Sequence, residues 1–361
     1  MLYSELALYP IHWQAFSALC TRLGAEGIAY GRDSAALPSV HQQLGWGEVG
    51  GDVEFRPIPF ADSISRMYWL RRELRAVRPD AIWAQHEPTD QLLMELLAVE
   101  RLRPGVRIVG AVCENLFAST PLRVQAAGRM LWGRLDALAA VATASIDGAR
   151  SIGVPASVPA RPLVAGALEP PGETQPMDFN IGDDVFVIGF AGRLVSEKGW
   201  GVLLEAVEQL PDTFAVAFAG DGPDADTLQA ALRSPRLAGR AVYVGLLPRR
   251  DLWKFYARLD VLAVPSLTTA TWKEQFGGVL ADAMAIGLPI VGSSSGAIPE
   301  VVGPAGLIVP EGDPGALAAA LERLRSNQML RSELGSVGRR RFEEEFSIDA
   351  YSRKLAELVE G

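Results

Sequence analysis

The stretch Val185-Phe-Val-Ile-Gly-Phe-Ala-Gly192-Arg193-Leu-Val-Ser-Glu-Lys198-Gly199 joins an apolar, β-rich run to a loop bounded by glycines. A run that is apolar throughout is typical of a parallel strand covered on both faces. Open parallel sheets bind ligands beyond the carboxyl ends of their strands, and an Arg fork beside a mobile Lys suits a diphosphate. Arg193 and Lys198 therefore indicate an anion site, with an ordinary solvated basic loop as the alternative.

Similar short apolar runs alternate with longer amphipathic stretches, from residues 5–9 to 138–143 in the first half and from 185–191 to 307–309 in the second. This alternation is typical of βα units that build a parallel sheet. A chain of 361 residues exceeds one ordinary core, and the proline-rich stretch after Ala167 cannot continue a helix or a central strand. We expect α/β domains at 1–166 and 184–345, an interdomain linker at 167–183 and a C-terminal helix at 346–361.

The composition excludes several classes of protein. Hydrophobic residues make up 49% and charged residues 21%, which indicates a packed globular chain rather than a disordered one. The net charge of −9 argues against nucleic-acid binding, since that affinity depends largely on neutralising phosphates. Cys20 and Cys113 form no disulfide framework, and no apolar stretch is long enough to span a membrane. We therefore expect a cytoplasmic protein, at most peripheral on the inner face of the cell membrane.

A second motif follows the run at 261–265. It contains Glu274, then Gly277 and Gly278 at the start of a predicted helix, then Asp282. Bare backbone N–H groups at a helix start favour an anion. A phosphate would repel the two carboxylates, so they suit hydrogen bonds from sugar hydroxyls better than contact with the anion itself.

The order FAGRLVSEKG, GDGP, VYVGLLPRRDLWKFYARLDVLAVPS, KEQFGGVLADAMAIGLPIVGSSSGAIPEVV and GLIVPEGD resembles the family 4 retaining glycosyltransferases of the GT-B fold. The closing FSIDAYSRKL is similar to that family's last helix. The resemblance implies two Rossmann-like parallel-sheet domains facing a central cleft. The N-terminal domain would bind the acceptor and the C-terminal domain the nucleotide sugar, with the C-terminal helix crossing back to the N-terminal domain.

The resemblance also implies roles for individual residues. Arg193 and Lys198 would hold the donor diphosphate and Glu274 the hydroxyls of the transferred sugar, which makes these three the expected catalytic residues. Asp282 stands in place of the second acid of the family's E-x(7)-E pattern and would hold the ribose; a role on the helix surface or at the helix dipole is the alternative. The other expected donor-binding residues are Gly192, Gly245, Leu246, Leu247, Phe276, Gly277 and Gly278. We expect no metal and no other cofactor.

The first half departs from the family pattern, because its usual Gly-Gly loop and histidine are not obvious. His12, Glu87 and the pair Glu114-Asn115 instead follow the first, fourth and fifth predicted strands, as in a subset of the family that also shares the run Thr268–Gly277. We expect these residues to contact the acceptor or the donor sugar. Loop capping and buried hydrogen bonding are the alternatives.

Two stretches of this half are rich in arginine. Residues 65–78 carry five arginines and one glutamate, and their apolar residues recur at helical spacing, namely Met67, Leu70, Leu74 and Val77. Residues 121–134 add Arg123, Arg129, Trp132 and Arg134. Basic amphipathic helices can rest on anionic lipid. An anionic membrane surface is therefore a candidate partner, with a solvated face as the alternative.

Together these patterns predict a retaining glycosyltransferase that moves a hexose from a nucleotide diphosphate sugar to a hydroxyl acceptor. The acceptor would be a glycan, a lipid-linked sugar or a small molecule in glycoconjugate biosynthesis. A non-catalytic nucleotide-sugar-binding subunit and a GT-B epimerase or phosphorylase are the alternatives.

Overall fold

The computed structural model describes residues 2–5, 10–31, 53–58, 62–85, 88–100, 105–117, 120–164, 166–172, 174–182 and 184–361. The chain forms two compact units. One comprises Met1–Ala165 together with Ile348–Gly361, and the other comprises Gly166–Ser347. Each contains one parallel sheet with helices packed against it, so the predicted α/β class is confirmed.

The first unit is built on a seven-stranded parallel sheet of order β3-β2-β1-β4-β5-β6-β7. Its strands are β1 (Leu2–Glu5), β2 (Gly27–Gly31), β3 (Val53–Pro57), β4 (Ala81–Gln85), β5 (Arg107–Val112), β6 (Ala137–Ala140) and β7 (Ala160–Pro162). Its helices before the linker region are α1 (Pro10–Leu23), α2 (Ser63–Val77), α3 (Gln91–Glu100), α4 (Leu122–Leu131) and α5 (Thr143–Ile152).

Helices cover both faces of this sheet, which explains why its central strands are apolar throughout. Alternate residues of a strand point to opposite faces. In β4, Ile82 belongs to the core beneath α2 and α3, whereas Trp83 belongs to the core beneath α1. Both faces of the strand are thus removed from water.

The second unit contains a six-stranded parallel sheet of order β10-β9-β8-β11-β12-β13. Its strands are β8 (Phe186–Ala191), β9 (Phe214–Ala219), β10 (Ala241–Gly245), β11 (Val261–Val264), β12 (Ile290–Ser293) and β13 (Gly306–Val309). Its helices are α6 (Trp200–Gln209), α7 (Ala225–Ala231), α8 (Arg249–Ala257), α9 (Gly278–Ala285), α10 (Ile298–Val302), α11 (Pro314–Ser326) and α12 (Gln328–Arg341). Strand order reverses between β8 and β11, which is the place where such sheets bind ligands.

The last helix, α13 (Ile348–Glu360), returns to the first unit, as the fold prediction expected. It packs against α1, and its Tyr351 and Leu355 join the core on that face of the sheet. Arg107 from β5 donates from Nε to the Leu358 carbonyl at 2.9 Å. Arg161 donates to Glu357 at 3.0 Å. The helix therefore completes one covered face of the N-terminal sheet.

The structure differs from some of the predicted strands. The described part of β1 is Leu2–Glu5, and residues 6–9 of the predicted run 5–9 lie outside the described residues. β6 ends at Ala140 rather than at residue 143, because α5 begins at Thr143. The edge strand β7 was not predicted. It has three partly exposed residues ending in a proline, so it carries little apolar signal. The expected linker belongs to the second unit, where Met177 N–H donates to the Lys254 carbonyl at 2.9 Å.

Within the described part of the chain, no helix is both long enough and apolar enough to cross a membrane.

The two cysteines should differ in reactivity. Burial raises the pKa of the Cys20 thiol to about 11, whereas Cys113 is only half-buried. Since the thiolate is the reactive form, a disulfide reagent at about pH 8 should modify Cys113 quickly and Cys20 only on unfolding. Absorbance of the released thiolate measures both phases, and Cys20→Ser should abolish the slow one. Rapid modification of both thiols in the folded protein would contradict this prediction.

Candidate functional site

The site is built from two loops that follow neighbouring strands. β8 pairs in parallel with β11, with Ile188 opposite Val261. Their carboxyl ends therefore lie at the same edge of the sheet, and the loops at 192–199 and 265–277 leave from that edge side by side. Leu267 N–H donates to the Glu197 carbonyl at 2.8 Å, which ties one loop to the other.

Glycines allow these loops to approach backbone to backbone. Gly199 has a φ of 71°, and a Cβ there would lie 1.8 Å from the Pro265 carbonyl oxygen. At Gly296, which has a φ of 52°, an added Cβ would lie 2.0 Å from the Glu274 carbonyl oxygen. Only glycine combines this backbone conformation with this closeness. Side chains carried by the loops are consequently held close together.

Lys198 and Glu274, which were predicted separately, form an ion pair. The Lys198 ammonium lies 2.7 Å from Glu274 Oε2 and 3.0 Å from Oε1. Glu274 is only 5% exposed, and the hydroxyl of Ser266 also donates to its Oε2 at 2.9 Å. Burying a charge is costly unless the charge is paired and hydrogen-bonded, as it is here. The pair thus places a cation and an acceptor of hydroxyl hydrogen bonds at one point of the sheet edge.

The other residues predicted to bind an anion lie near Lys198 or Glu274 in the sequence. Arg193 is exposed on the same loop as Lys198, just after Gly192. The helix α9 begins at Gly278, directly after Gly277, whose φ is 73°. Phe276 packs its ring against Phe346 at 5.6 Å. Free N–H groups of a helix start, an Arg and a Lys are donors of the kind that a diphosphate requires.

Asp282 occupies a different environment from Glu274. It is buried inside α9, and both carboxylate oxygens accept hydrogen bonds from the Arg249 guanidinium, one of them at 2.7 Å. The Tyr256 hydroxyl donates at 3.3 Å, and Arg249 stacks 4.5 Å from the Trp253 ring. Burial raises the pKa of Asp282, and the pairing with Arg249 opposes that rise. Asp282 is therefore an internal group, not a helix-surface one, and its contact with a ribose stays a prediction.

The expected base loop follows β10. Gly245 ends that strand with a φ of 73°, Leu246 is 69% exposed, and Leu247 is half-buried. The next residues start α8, which carries Arg249. The loop is thus connected to Asp282 through that arginine. Its contact with a base stays a prediction.

The acceptor candidates belong to the first unit. Glu114 is exposed and Asn115 is buried, directly after β5. His12 lies in the first turn of α1, but its side chain is outside the described residues, and so is Glu87. Their predicted roles therefore stay predictions.

Several contacts were not predicted from the sequence. Ser266, Arg249 and Tyr256 are the partners of the two acidic residues, yet none was proposed as a site residue. Ser266 could have been proposed, because it follows directly after the predicted strand 261–265. Arg249 and Tyr256 lie seven residues apart on α8 and carry the helical spacing of a shared face, but nothing in that spacing names Asp282 as their partner.

Comparison with known proteins identifies the segment that carries these loops. A family model for group 1 glycosyl transferases matches residues 185–327, which contain both loops and both acidic residues. This segment is a group 1 glycosyltransferase domain. The Lys198–Glu274 pair lies inside the glycosyltransferase domain, at the edge where its sheet reverses strand order.

Named relatives are similar to part of this chain. A 2-deoxystreptamine glucosyltransferase of Streptomyces kanamyceticus is 34% identical over 143 residues, 38% of this chain and 36% of that protein. A GDP-mannose-dependent alpha-(1-6)-phosphatidylinositol monomannoside mannosyltransferase of Mycolicibacterium smegmatis is 31% identical over 191 residues, 51% of this chain and 50% of that protein. The chain spans half or less of the length of these two relatives.

The fold can be compared over nearly the whole chain. The crystal structure of Anabaena Alr3699/HepE in complex with UDP matches with a TM-score of 0.76 and 18% identity, covering 99% of both chains. At 18% sequence identity, this similarity is evidence for the fold alone. The predicted GT-B fold is confirmed.

The Arg249–Asp282 pair gives a pH-dependent prediction. Arg249→Met should lower the free energy of unfolding by about 3 kcal/mol at neutral pH, because it leaves a buried carboxylate without its cation. Without Arg249 the pKa of Asp282 rises further, so the folded variant binds a proton more readily than the unfolded chain. Its stability should therefore increase as the pH falls towards about 5.5, which urea unfolding at several pH values measures.

The double variant Arg249→Met with Asp282→Asn is the matched control. It removes the stranded charge and should recover stability near neutral pH while losing the acid-dependent gain. A deficit in Arg249→Met that stays the same across this pH range would show that the buried carboxylate is not its cause.

Proposed function

We propose that this protein is a retaining glycosyltransferase that moves a hexose from a nucleotide diphosphate sugar to a hydroxyl acceptor. The observation that carries the proposal is the Lys198–Glu274 pair, with an exposed Arg193 on the same loop as Lys198 and the start of α9 shortly after Glu274 in the chain. It offers cationic donors for a diphosphate and an oriented carboxylate for sugar hydroxyls within one loop cluster. This combination suits a nucleotide sugar better than a simple phosphate ester.

Transfer of the sugar requires mainly that the leaving nucleoside diphosphate be stabilised. As the bond from the sugar to the diphosphate breaks, negative charge grows on the β-phosphate. The Lys198 ammonium, the Arg193 guanidinium and the N–H groups at Gly277 and Gly278 would donate hydrogen bonds to that charge, and the proposal needs no metal. Glu274, held by Ser266, would accept hydrogen bonds from the sugar hydroxyls. The departing phosphate would take up the acceptor proton on the same face of the sugar, which retains configuration.

The related proteins support this choice of substrate class. The relatives named above are a glucosyltransferase and a GDP-mannose-dependent mannosyltransferase, and solved structures of the same fold contain UDP or UDP-glucose. Another relative, 33% identical over 174 residues, is an amylovoran biosynthesis glycosyltransferase of Erwinia amylovora. We therefore place the acceptor in glycoconjugate biosynthesis.

Replacing Lys198 tests the assignment. Lys198→Ala should reduce turnover on the order of a hundredfold, because it removes a donor to the developing charge. Lys254→Ala is the matched control, since Lys254 is half-exposed and paired with Asp251 on α8. The measurement is nucleotide release from UDP-, GDP-, ADP- and dTDP-sugars in the presence of candidate acceptors. Unchanged turnover in Lys198→Ala would refute the role of the pair.

The same panel separates the alternatives. Transfer or slow hydrolysis of one donor supports the enzyme. Tight binding of a nucleotide sugar without turnover would indicate a binding subunit, and conversion of the sugar without release of the nucleotide would indicate an epimerase.

We further propose that the first unit rests on an anionic membrane. α3 lies between α2 and α4. α2 exposes Ile64 and Tyr68, 83% and 75% accessible, and α4 exposes Leu122 and Met130, 80% and 70% accessible. Exposed arginines accompany them, namely Arg71, Arg72, Arg75, Arg123 and Arg129. Isolated apolar side chains among arginines suit insertion between anionic head groups.

Two residues of the arginine-rich stretches that the sequence suggested for membrane binding are buried in the structure. Arg66 is buried in an ion pair with Glu95, with Nε 2.5 Å from Oε2. Trp132 is buried too, and its indole N–H donates to the Pro88 carbonyl at 2.8 Å. Neither residue can contact lipid without unfolding its surroundings.

Charge reversal tests the membrane proposal. The triple change Arg71→Glu, Arg72→Glu and Arg75→Glu should abolish co-sedimentation with phosphatidylglycerol vesicles, because each basic residue contributes about 1 kcal/mol near such a surface. Arg233→Glu, Arg236→Glu and Arg340→Glu make the same change in charge on exposed positions of the second unit and should leave binding intact. Equal vesicle binding by both triple variants would exclude this surface.

A further inference from the structure

Trp272 is the second contact of the Lys198 ammonium. The Nζ atom lies 4.8 Å from the centre of the Trp272 ring, while the same atom bonds to both carboxylate oxygens of Glu274. An ammonium within about 6 Å of an indole face is attracted by the negative charge of that face. The cation is thus held by a carboxylate and by an aromatic ring together.

A tight turn fixes the position of Trp272. The Thr269 hydroxyl accepts from the Trp272 backbone N–H at 3.0 Å, and the Thr269 backbone N–H donates to the Trp272 carbonyl at 2.7 Å. The preceding Thr268 is tied down as well, because its backbone N–H and its hydroxyl both donate to the Glu311 carboxylate. The backbone that carries the indole is therefore held by contacts that do not involve Lys198.

A bound donor substrate would affect the contact of the ammonium with Glu274 differently from its contact with Trp272. A diphosphate competes for the ammonium, and sugar hydroxyls compete for the carboxylate, so both partners of the ion pair are drawn towards the substrate. The contact with the indole is made through the ring, whose negatively charged face a diphosphate does not bind. It is the contact that can persist while the ion pair is loosened.

We propose that Trp272 is a positioning residue that keeps the Lys198 ammonium in place as the diphosphate binds. The proposal rests on the proposed function, since it gives Lys198 the diphosphate as its ligand. Trp272 acts through Lys198, and its effect on nucleotide binding disappears when the ammonium is absent. Thr269 supports it by holding the turn.

Nuclear magnetic resonance of the lysine side chains tests the contact without any substrate. The chain has only four lysines, Lys198, Lys254, Lys273 and Lys354, so labelling with ¹³C-lysine gives few signals, and Lys198→Arg identifies one of them. The ring current of Trp272 should displace the Lys198 ε-carbon and ε-proton signals. Trp272→Leu should remove the displacement and Trp272→Phe should keep part of it, with the Lys254 and Lys354 signals unmoved. A Lys198 signal that does not respond to Trp272→Leu overturns the proposal.

A double-variant cycle tests the consequence for binding. The probe is UDP, GDP, ADP or dTDP, whichever raises the melting temperature of the unmodified protein most, followed by calorimetric titration. Trp272→Leu should weaken the affinity about tenfold, and Trp272→Phe less than that. In a Lys198→Ala background the same change should have no further effect. An equal loss in both backgrounds would mean that Trp272 acts independently of Lys198, which overturns the proposal.

The turn supplies the matched control. Thr269→Val removes the hydroxyl that holds Trp272 and should reproduce part of the Trp272→Leu effect on both the Lys198 signal and the affinity. Thr271→Val alters an exposed neighbour in the same turn and should change neither. If no nucleotide binds but the Lys198 signal responds as expected, the proposed function fails while the Trp272–Lys198 contact stands. If nucleotides bind and the Lys198 signal does not respond, the contact fails while the proposed function stands.

Discussion

The parallel pairing of β8 with β11 is the constraint on which the rest of the site depends. These strands are distant in sequence, but their ends share one edge, so Lys198 and Glu274 meet although 76 positions separate them. The register is fixed by burial on both sides of the sheet, because Val261 and Leu262 are both inaccessible to water. A shift of one residue would exchange the faces of every side chain in the strand, and the loops would then leave the sheet in different directions.

Two acidic residues of one segment illustrate how the partner decides the character of a carboxylate. Glu274 is paired with a lysine, whose single charge on a flexible stem can move between acceptors. Both carboxylate oxygens of Asp282 are held by the planar guanidinium of Arg249, which also stacks on Trp253. These contacts together restrict the orientation of the guanidinium. The first arrangement suits a group that exchanges partners during a reaction, and the second suits a group that joins α8 to α9. The net charge of −9 did not predict the environment of either carboxylate, because each environment depends on the residues in direct contact with it.

Sequence patterns predicted the sheets well and the contacts within the site poorly. β8 and β11 lie where the apolar runs 185–191 and 261–265 predicted them, since strands buried on both faces leave an unambiguous signal. β7 left almost no signal, because a short edge strand buries little. Lys198 and Glu274 were identified as site residues from loop position and resemblance, but their mutual contact was not. Contacts such as Arg249 with Asp282 depend on which helix packs beside which, and spacing along the chain does not specify that.

The return of α13 to the first unit makes that unit discontinuous. All of Gly166–Ser347 separates its main part from the helix that covers Trp83 and packs against α1. During synthesis the whole second unit is therefore translated before α13, the helix that covers this apolar face of the first unit. The first unit begins to be translated before the second, but its chain is completed only after it.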